Sequence, residues 1–351
     1  MVRAPYLGGM VETPAFLDSS RPDVPDIVVP RGITPFYMPD RPVRGRLVRL
    51  GALADALISR HDNPEPVNRL AGEALALVAG LASALKFQGS FSLQAKGDGP
   101  VSILLADCTE AGALRFYART DPERFALLLA KHPEPNAAAL LGSGYLAFTV
   151  DQGGEAERHQ GIVAIAGDSL AEMAQYYFET SEQHDCSVRL SARHTDAGWR
   201  AAALVLERIA HGGGHADGAG TASGLVLQDG VERDRARVDA AAGSRDAAVE
   251  SWRTALLLAA TLTDDELLDD RLSAEELLYR LFHSEGVAAD RPRALAYGCR
   301  CSRARLAGIL EGFPSEDLDH MTVGGDIVMT CEFCAVDFRF PRESVKGNAA
   351  G

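Results

Sequence analysis

The hydrophobic pattern along the first two thirds of the chain alternates between the period of a helix and that of a strand. In one segment apolar residues recur at helical spacing, at Leu70, Ala74, Leu77, Val78, Leu81 and Leu85. This spacing predicts an amphipathic helix whose apolar face packs into a core. Ser169 predicts the start of a second helix, because Glu172 follows three residues later in the form of a capping box.

Strand-like alternation begins after the first predicted helix. Phe91, Leu93 and Ala95 alternate with polar residues, and the turn residues 97–100 separate them from the apolar run 101–106. This arrangement predicts a β-hairpin. Further strands are predicted at 114–118, 145–150, 161–165, 187–191, 199–206 and 224–228. The fold class predicted is therefore α+β, with a mixed sheet and helix core domain over residues 41–230.

The segments on either side of this core have a different character. Residues 1–40 contain seven prolines and no sustained periodicity, which predicts a flexible or loosely docked extension. Residues 231–295 are charged and rich in Leu and Ala, which predicts a helical linker. Its leucines can pack against a neighbouring domain, whereas its many acidic residues keep it soluble when released. The linker is therefore expected to be conditionally stable, although a permanently packed helical hairpin also fits this pattern.

A glycine-dense stretch, 209–220, interrupts the predicted strands and is expected to form a mobile loop. It contains His211 and His215, which are potential metal ligands. No further group of ligand-type residues stands beside them, and zinc sites need three or four ligands. A solvated loop is therefore favoured over a metal site.

Four of the six cysteines lie in the last sixth of the chain, as Cys299-Arg-Cys301 and Cys331-Glu-Phe-Cys334. Two close thiol pairs brought together by a small fold supply the tetrahedral sulfur set that zinc prefers. We therefore expect residues 296–351 to form a C-terminal zinc domain holding one Zn²⁺. The first pair is unusual, because a single residue separates its cysteines.

The same thiols also offer redox chemistry. Metal-bound sulfur is thiolate-like and can be oxidised where oxidant reaches it. A disulfide within each short motif would eject the ion, and a bridge across one residue should be strained and easily reduced. Arg300, Arg303 and Arg305 could favour thiolate, but they could equally be ordinary surface arginines.

Composition limits the remaining possibilities. The chain has 351 residues, is 46% hydrophobic and carries a net charge of −14, so nucleic acid is not expected as a partner. The sequence contains no apolar run of membrane-spanning length, and its first residues do not resemble a secretion signal, which predicts a cytoplasmic protein without membrane contact.

The cytoplasm keeps cysteines reduced. Cys108 and Cys186, at strand ends, are expected to be buried or half-buried small residues.

No catalytic motif is visible in the sequence. A glycine-framed serine, a Gly-Lys-Ser/Thr loop and a helix-borne histidine pair are all absent. The protein is therefore not expected to be an enzyme. A constitutive, structural-zinc adaptor that binds partner proteins remains an alternative, and an enzyme on the α+β core would need a pocket that the sequence does not reveal.

Several sequence blocks together resemble the heat-shock protein 33 chaperones. The four-cysteine pattern resembles the redox-switch domain of that family, and upstream blocks agree with it in the same order. These blocks are 85–90, 97–100, 176–183, 224–228 and 279–283. The resemblance covers approximately residues 44–345, and the Pro-rich start and the glycine-dense stretch depart from it.

The resemblance implies a cytosolic, ATP-independent holdase that is inactive when reduced and zinc-loaded. It implies that Cys299, Cys301, Cys331 and Cys334 are both zinc ligands and redox sensors. Oxidation would form the Cys299–Cys301 and Cys331–Cys334 disulfides, release zinc and unfold the linker. The exposed surface would then bind unfolded client proteins, and the oxidised form would be a homodimer.

Overall fold

The computed structural model describes residues 24–85, 89–152, 159–209 and 245–347. Residues 27–298 group into one compact unit, and a second compact unit begins at Cys299. Within the described ranges, none of the helices combines the length and the apolar character needed to cross a bilayer. A mixed sheet with helices and a C-terminal four-cysteine cluster confirms the predicted α+β class.

The first unit contains most of the secondary structure. Its strands are β1 (Val28–Tyr37), β2 (Val43–Arg49), β3 (Ser90–Gly97), β4 (Val101–Thr109), β5 (Ala113–Thr120), β6 (Gly144–Asp151), β7 (His159–Ala164), β8 (Cys186–Thr195), β9 (Gly198–Arg208), β10 (Ala288–Ala289) and β11 (Arg293–Tyr297). Its helices are α1 (Ala52–Ile58), α2 (Glu65–Ala82), α3 (Pro122–Lys131), α4 (Ala137–Leu141), α5 (Leu170–Tyr177), α6 (Arg245–Ala260), α7 (Asp264–Leu268) and α8 (Ala274–Phe282).

One large sheet organises this unit. Among the described strands its order is β7-β6-β3-β4-β5-β11-β1-β2-β9-β8, and the short β10 also pairs with β1. The pairs are antiparallel except for β11 with β5. β1 and β2 therefore lie near the middle of the sheet, with the linker helices α6–α8 following β9 in the chain.

The sheet buries one face against α2, the longest described helix. Its apolar residues are almost all inaccessible to solvent, and they join the larger hydrophobic cluster of the unit. Gly72 permits the close approach of α2, because a Cβ there would lie 2.8 Å from the Cβ of Ala192 and 3.2 Å from that of Ala201. The predicted helix around residues 70–85 is confirmed, although it begins earlier, at Glu65 behind Pro64.

The hairpin and the capped helix, which depend on residues close together in the sequence, form as predicted. β3 and β4 form the expected hairpin, with Phe91 opposite Cys108 and Lys96 opposite Ile103. The capping box at Ser169 is also confirmed, since its hydroxyl accepts a hydrogen bond from the Glu172 amide. The predicted strand at 224–228, the glycine-dense loop, His211 and His215 lie outside the described residues, apart from Ile209.

Three strands correct the sequence prediction, among them the short β10 (Ala288–Ala289) within the predicted helical linker. Val28–Tyr37 lies within the segment expected to be a loose extension, yet it is a strand in the middle of the sheet. Its Pro30 falls where the register with β11 shifts, and prolines are tolerated at such irregularities. Arg293–Tyr297, at the end of the predicted helical linker, is likewise a strand.

The second unit is small. Its helices are α9 (Arg303–Leu310) and α10 (Ser315–His320), and its strands are β12 (Thr322–Val323), β13 (Asp326–Thr330) and β14 (Asp337–Pro341). The three strands form an antiparallel sheet. Among the residues of this unit that the structure describes, the buried aliphatic and aromatic side chains are few, namely Leu310, Leu318, Ile327, Phe338, Phe340 and Val345. A core of this size contributes little stability without a further crosslink.

Candidate metal centre and the linker helices

A tight turn between β13 and β14 positions the second cysteine pair. The backbone N–H groups of Cys334 and Ala335 donate to the carbonyl of Cys331 at 3.3 and 2.8 Å, and the Cys331 N–H donates to the carbonyl of Val336 at 2.9 Å. Ala335 has a φ of 53°, a left-handed conformation that is unfavourable for a residue with a Cβ. The turn therefore places both thiols at one end of the hairpin.

The first cysteine pair lies between β11 and α9. Ser302 caps α9, because its hydroxyl accepts a hydrogen bond from the Arg305 amide at 3.2 Å. Arg303 donates to the carbonyl of Arg339 at 2.6 Å and lies 4.6 Å from the ring centre of Phe340. These contacts attach the start of α9 to β14 and hold Cys301 next to the hairpin. They also give Arg303 a structural role, which differs from both alternatives that the sequence suggested, a thiolate-favouring charge and an ordinary surface arginine.

The four sulfur atoms come together at one point. The Sγ atom of Cys299 lies 3.3 Å from that of Cys301 and 3.6 Å from that of Cys331, and the Cys301–Cys334 distance is 3.5 Å. All four lie within 4.8 Å of one another. A tetrahedron with Zn–S bonds of about 2.3 Å has sulfur–sulfur edges of about 3.8 Å, so the set could hold a metal ion of this kind.

Electrostatics within the cluster also favours a cation. Hydrogen bonds with the thiols of Cys301 and, to a smaller extent, Cys334 outweigh the opposite effect of Cys331 and lower the pKa of Cys299 to about 7. The pKa of Cys331 is lowered by its thiol neighbours, foremost Cys299, whereas that of Cys301 is raised by the thiol of Cys299. Sulfurs this close cannot all be thiolates unless a positive charge compensates them.

The remaining two cysteines have a different environment. Cys108 is 2% exposed on β4, and Cys186 is half-buried at the start of β8, which confirms the prediction for both. Burial, and then the charge of Glu207, raises the pKa of Cys186 well above its ordinary value. Cys186 is therefore a poor nucleophile at neutral pH.

The linker helices α6–α8 cover the face of the sheet opposite α2. The second hydrophobic cluster takes in Leu262, between α6 and α7, and the helix residues Ala255, Ala259, Leu267, Leu268, Leu277, Leu278, Leu281 and Phe282. They pack on a patch, here called the sheet face, made by Phe36, Met38, Val43, Leu47, Ala202, Leu204 and Leu206. Phe36 and Phe282 stack with their ring centres 5.6 Å apart. Thus the second hydrophobic cluster consists of linker and core residues together.

Arginines on the sheet contact the acidic residues of the linker. Arg189, Arg193 and Arg200 pair with Asp264, Asp265 and Asp270 at 3.0, 2.7 and 2.6 Å respectively. The sequence interpretation treated these aspartates as solubilising residues, and their pairing was missed. The only sequence signal was that Arg189 and Arg200 lie within predicted strands, which does not by itself identify a partner; Arg193 lies beyond the predicted strand 187–191.

Arg49 contacts the linker backbone. It donates to the carbonyls of Glu266 and Leu267 at 2.7 and 3.0 Å and also to that of Leu272. Two of these carbonyls belong to α7, a five-residue helix. Such a short helix is unstable by itself, so α7 depends on the sheet for its conformation.

Comparison with known proteins agrees with this architecture. Residues 32–341 match the family described as Hsp33 protein. The 33 kDa chaperonin of Caulobacter vibrioides is 38% identical over 308 residues, covering 86% of this chain and 92% of that protein. The 33 kDa chaperonin of Pseudomonas fluorescens strain SBW25 is 32% identical over 318 residues, covering 90% and 92% respectively.

A solved structure shows the same fold. The crystal structure of the 33 kDa chaperonin (heat shock protein 33 homolog) from Thermotoga maritima superposes with a TM-score of 0.68 at 19% identity, covering 90% of this chain and 96% of that one. The family match, over residues 32–341, spans nearly all of the first unit and the four-cysteine cluster. The chain therefore belongs to the Hsp33 family.

Proposed function

We propose that the protein is a redox-regulated, ATP-independent holdase chaperone whose reduced, zinc-loaded form is inactive. The observation that carries this proposal is the cluster of four sulfur atoms within 4.8 Å of one another, in a unit with a small apolar core. Membership of the Hsp33 family supports the binding of unfolded client proteins. The proposed site of action is the cytoplasm.

Cys299, Cys301, Cys331 and Cys334 are the proposed ligands of one zinc ion per chain. When bound, zinc would keep the four sulfurs as thiolates and join the two cysteine segments. Structural zinc of this type contributes roughly 10–16 kcal/mol to folding. The residues of the small unit would thus lose their order without it, because their own core is too small.

Oxidation by peroxide is the proposed signal. Each cysteine pair would give up two electrons to one H₂O₂, forming a disulfide and releasing two water molecules with the protons supplied by thiols or solvent. Cys299 and Cys301 are close enough to pair, with their sulfurs 3.3 Å apart. Cys299–Cys331 and Cys301–Cys334 are almost as close, so the pairing within each motif rests on the family resemblance. Once oxidised, the cysteines offer no thiolate to the ion.

Unfolding is proposed to spread from the cysteines to the linker. Cys299 follows β11 by two positions, and β11 follows α8 through a short connection. α7 and α8 are short helices that depend on the sheet, so they are candidates for cooperative release. Their release would expose the sheet face and the linker leucines, which together offer apolar surface to a client.

The test is light scattering of a client protein that unfolds on heating. The reduced, zinc-loaded protein should leave aggregation unchanged, and the peroxide-treated protein should suppress it while a chromogenic chelator reports about one zinc per chain. Size-exclusion chromatography of the oxidised form tests the proposed homodimer. Retained zinc with no suppression in either state would favour the alternative, a constitutive adaptor with structural zinc.

A further inference from the structure

An arginine-lined cavity opens on the first unit beside β1 and β2. Its volume is about 420 Å³, within the range of about 300–1,000 Å³ found for small-molecule sites. Arg44 and Arg46 line it from β2, Arg291 lines it from the connection between β10 and β11, and Arg293 lines it from the first position of β11. Two Arg-x-Arg segments that are distant in sequence thus meet around one space.

The first segment is built into the sheet. Residues two apart on a strand share a face, so Arg44 and Arg46 point the same way. Their side chains are each 8% exposed, and both donate to Glu207, at 2.8 and 2.7 Å. Position 45, between the two arginines, must be glycine. A Cβ there would point to the opposite face of the strand and lie 2.3 Å from the ring of Phe36. The two guanidinium groups are therefore fixed in position before any ligand arrives.

The second segment is held against β1. The backbone N–H of Asp290 donates to the carbonyl of Pro35 at 2.8 Å. Arg293 donates to the carbonyl of Ser83 at 2.8 Å, at the C-terminal end of α2. Within the described residues, the guanidinium of Arg291 makes no hydrogen bond or ion pair, and this side chain is exposed. Arg291 is therefore available to a ligand.

The charge around the cavity is opposite in sign to that of the whole chain. Four arginines and one acidic residue, Asp290, line the cavity, and Glu207 on β9, which pairs with both Arg44 and Arg46, compensates one more charge. The local charge is thus positive in a chain of net charge −14. Guanidinium groups present planar forks that match phosphate oxygens, and converging forks favour a multivalent anion.

We propose that this cavity binds a small anion that carries phosphate groups. The ligand would contact Arg46 and Arg291, which line the cavity from different strands and connections, and Arg44 and Arg293 would add to the positive potential. None of the residues that line this cavity belongs to the cysteine cluster, and the proposal does not depend on the proposed redox activity.

The test is isothermal titration calorimetry of the full-length, reduced protein with inorganic pyrophosphate at constant ionic strength. Saturable binding to one site is expected. Arg291→Ala should weaken it by about tenfold or more, because hydrogen bonds to charged groups contribute this much to affinity. Arg291→Lys should lie between the wild type and Arg291→Ala, since it keeps the charge and loses the fork.

Arg253→Ala is the matched control, because it removes the same charge from an exposed position of α6, where the side chain is 69% exposed. Its affinity for pyrophosphate should equal that of the wild type. Absence of saturable heat, an unchanged affinity in Arg291→Ala, or an equal loss in both alanine variants would each overturn the proposal. Circular dichroism of the variants should match the wild type, since both arginines are exposed.

Discussion

At the scale of single residues, the proposed switch depends on Cys301. Its Sγ atom lies 3.3 Å from the Sγ atom of Cys299 and 3.5 Å from that of Cys334. Cys301→Ser should lower zinc content, remove the Cys299–Cys301 disulfide and partly release the linker without oxidant, because serine is a poor zinc ligand. Chelator titration and limited proteolysis of the reduced variant measure these effects.

Cys186→Ala is the control for that experiment, since Cys186 lies on β8, remote in sequence from the cluster, and has a raised pKa. It should retain about one zinc per chain and respond normally to peroxide. A Cys301→Ser protein with full zinc and normal oxidative activation would show that the assigned ligand set is wrong.

Glu207 is the residue that links stability to pH. Burial alone would raise its pKa, but the charges of Arg46 and Arg44 outweigh burial and hold the pKa at about 2. The folded-state pKa is below the value of about 4.3 expected for an unfolded chain. The stabilisation is therefore present above that unfolded value and is lost as the pH falls towards 2.

Glu207→Gln should consequently be less stable at pH 7 by about 3–5 kcal/mol, because it leaves two buried arginines without a counter-charge. Its stability should also fall less steeply than that of the wild type between pH 5 and pH 2, since the titrating carboxylate is gone. Urea unfolding across this pH range measures both effects. Identical acid dependence of the two proteins would contradict the role given to Glu207.

At the scale of secondary-structure elements, the docking of α8 depends on buried leucines. Leu277 is completely buried in the second hydrophobic cluster, whereas Leu257 on α6 is 73% exposed. Leu277→Asp should weaken linker docking by at least about 2 kcal/mol, because it buries a charge and removes apolar contacts. The expected result is chaperone activity and protease sensitivity in the reduced state.

Leu257→Asp is the matched control and should leave both properties unchanged, because its side chain is already in solvent. Reduced-state inactivity and normal protease resistance in Leu277→Asp would argue for a permanently packed helical hairpin. That packing was the alternative interpretation of the linker sequence.

Arg49 anchors α7 by a different interaction. Three backbone carbonyls accept hydrogen bonds from its guanidinium. Arg49→Met should loosen α7 by about 2 kcal/mol, since hydrogen bonds to a charged group are lost and the carbonyls are left unsatisfied. Hydrogen exchange of the α7 amides in the reduced protein measures this change.

The control for Arg49 is Arg31→Ala, which removes a pair with Glu275 on α8. Both side chains of that pair are about half exposed, at 59% and 48%, and exposed pairs contribute little. Similar exchange rates in Arg49→Met and the wild type would mean that apolar packing alone holds α7.

At the scale of the whole molecule, sequence reasoning succeeded where neighbours in the chain determine structure. Helix α2, the β3–β4 hairpin and the cap at Ser169 follow from local periodicity and turn residues. The four-cysteine cluster was also predictable, because two closely spaced cysteine pairs are typical of a zinc site with four thiolate ligands. Its sulfur–sulfur distances of 3.3–3.6 Å agree with that expectation.

Elements that depend on distant partners could not be predicted in the same way. β1 pairs with β11, whose residues lie more than 250 positions later, and its prolines resemble those of a loop. The pairs of Arg189, Arg193 and Arg200 with the linker span 70 to 75 positions. No local pattern specifies such contacts, so the burial of the linker on the sheet face became visible only in the structure.

The proposed switch requires that oxidation of the four cysteines releases the linker helices. Hydrogen–deuterium exchange after addition of peroxide, followed together with zinc release, tests it most directly. The amides of α7, α8 and the unit from Cys299 should lose protection as zinc leaves, while those of α2 remain protected in their buried core. Complete zinc release with unchanged protection of α7 and α8 would contradict the claim.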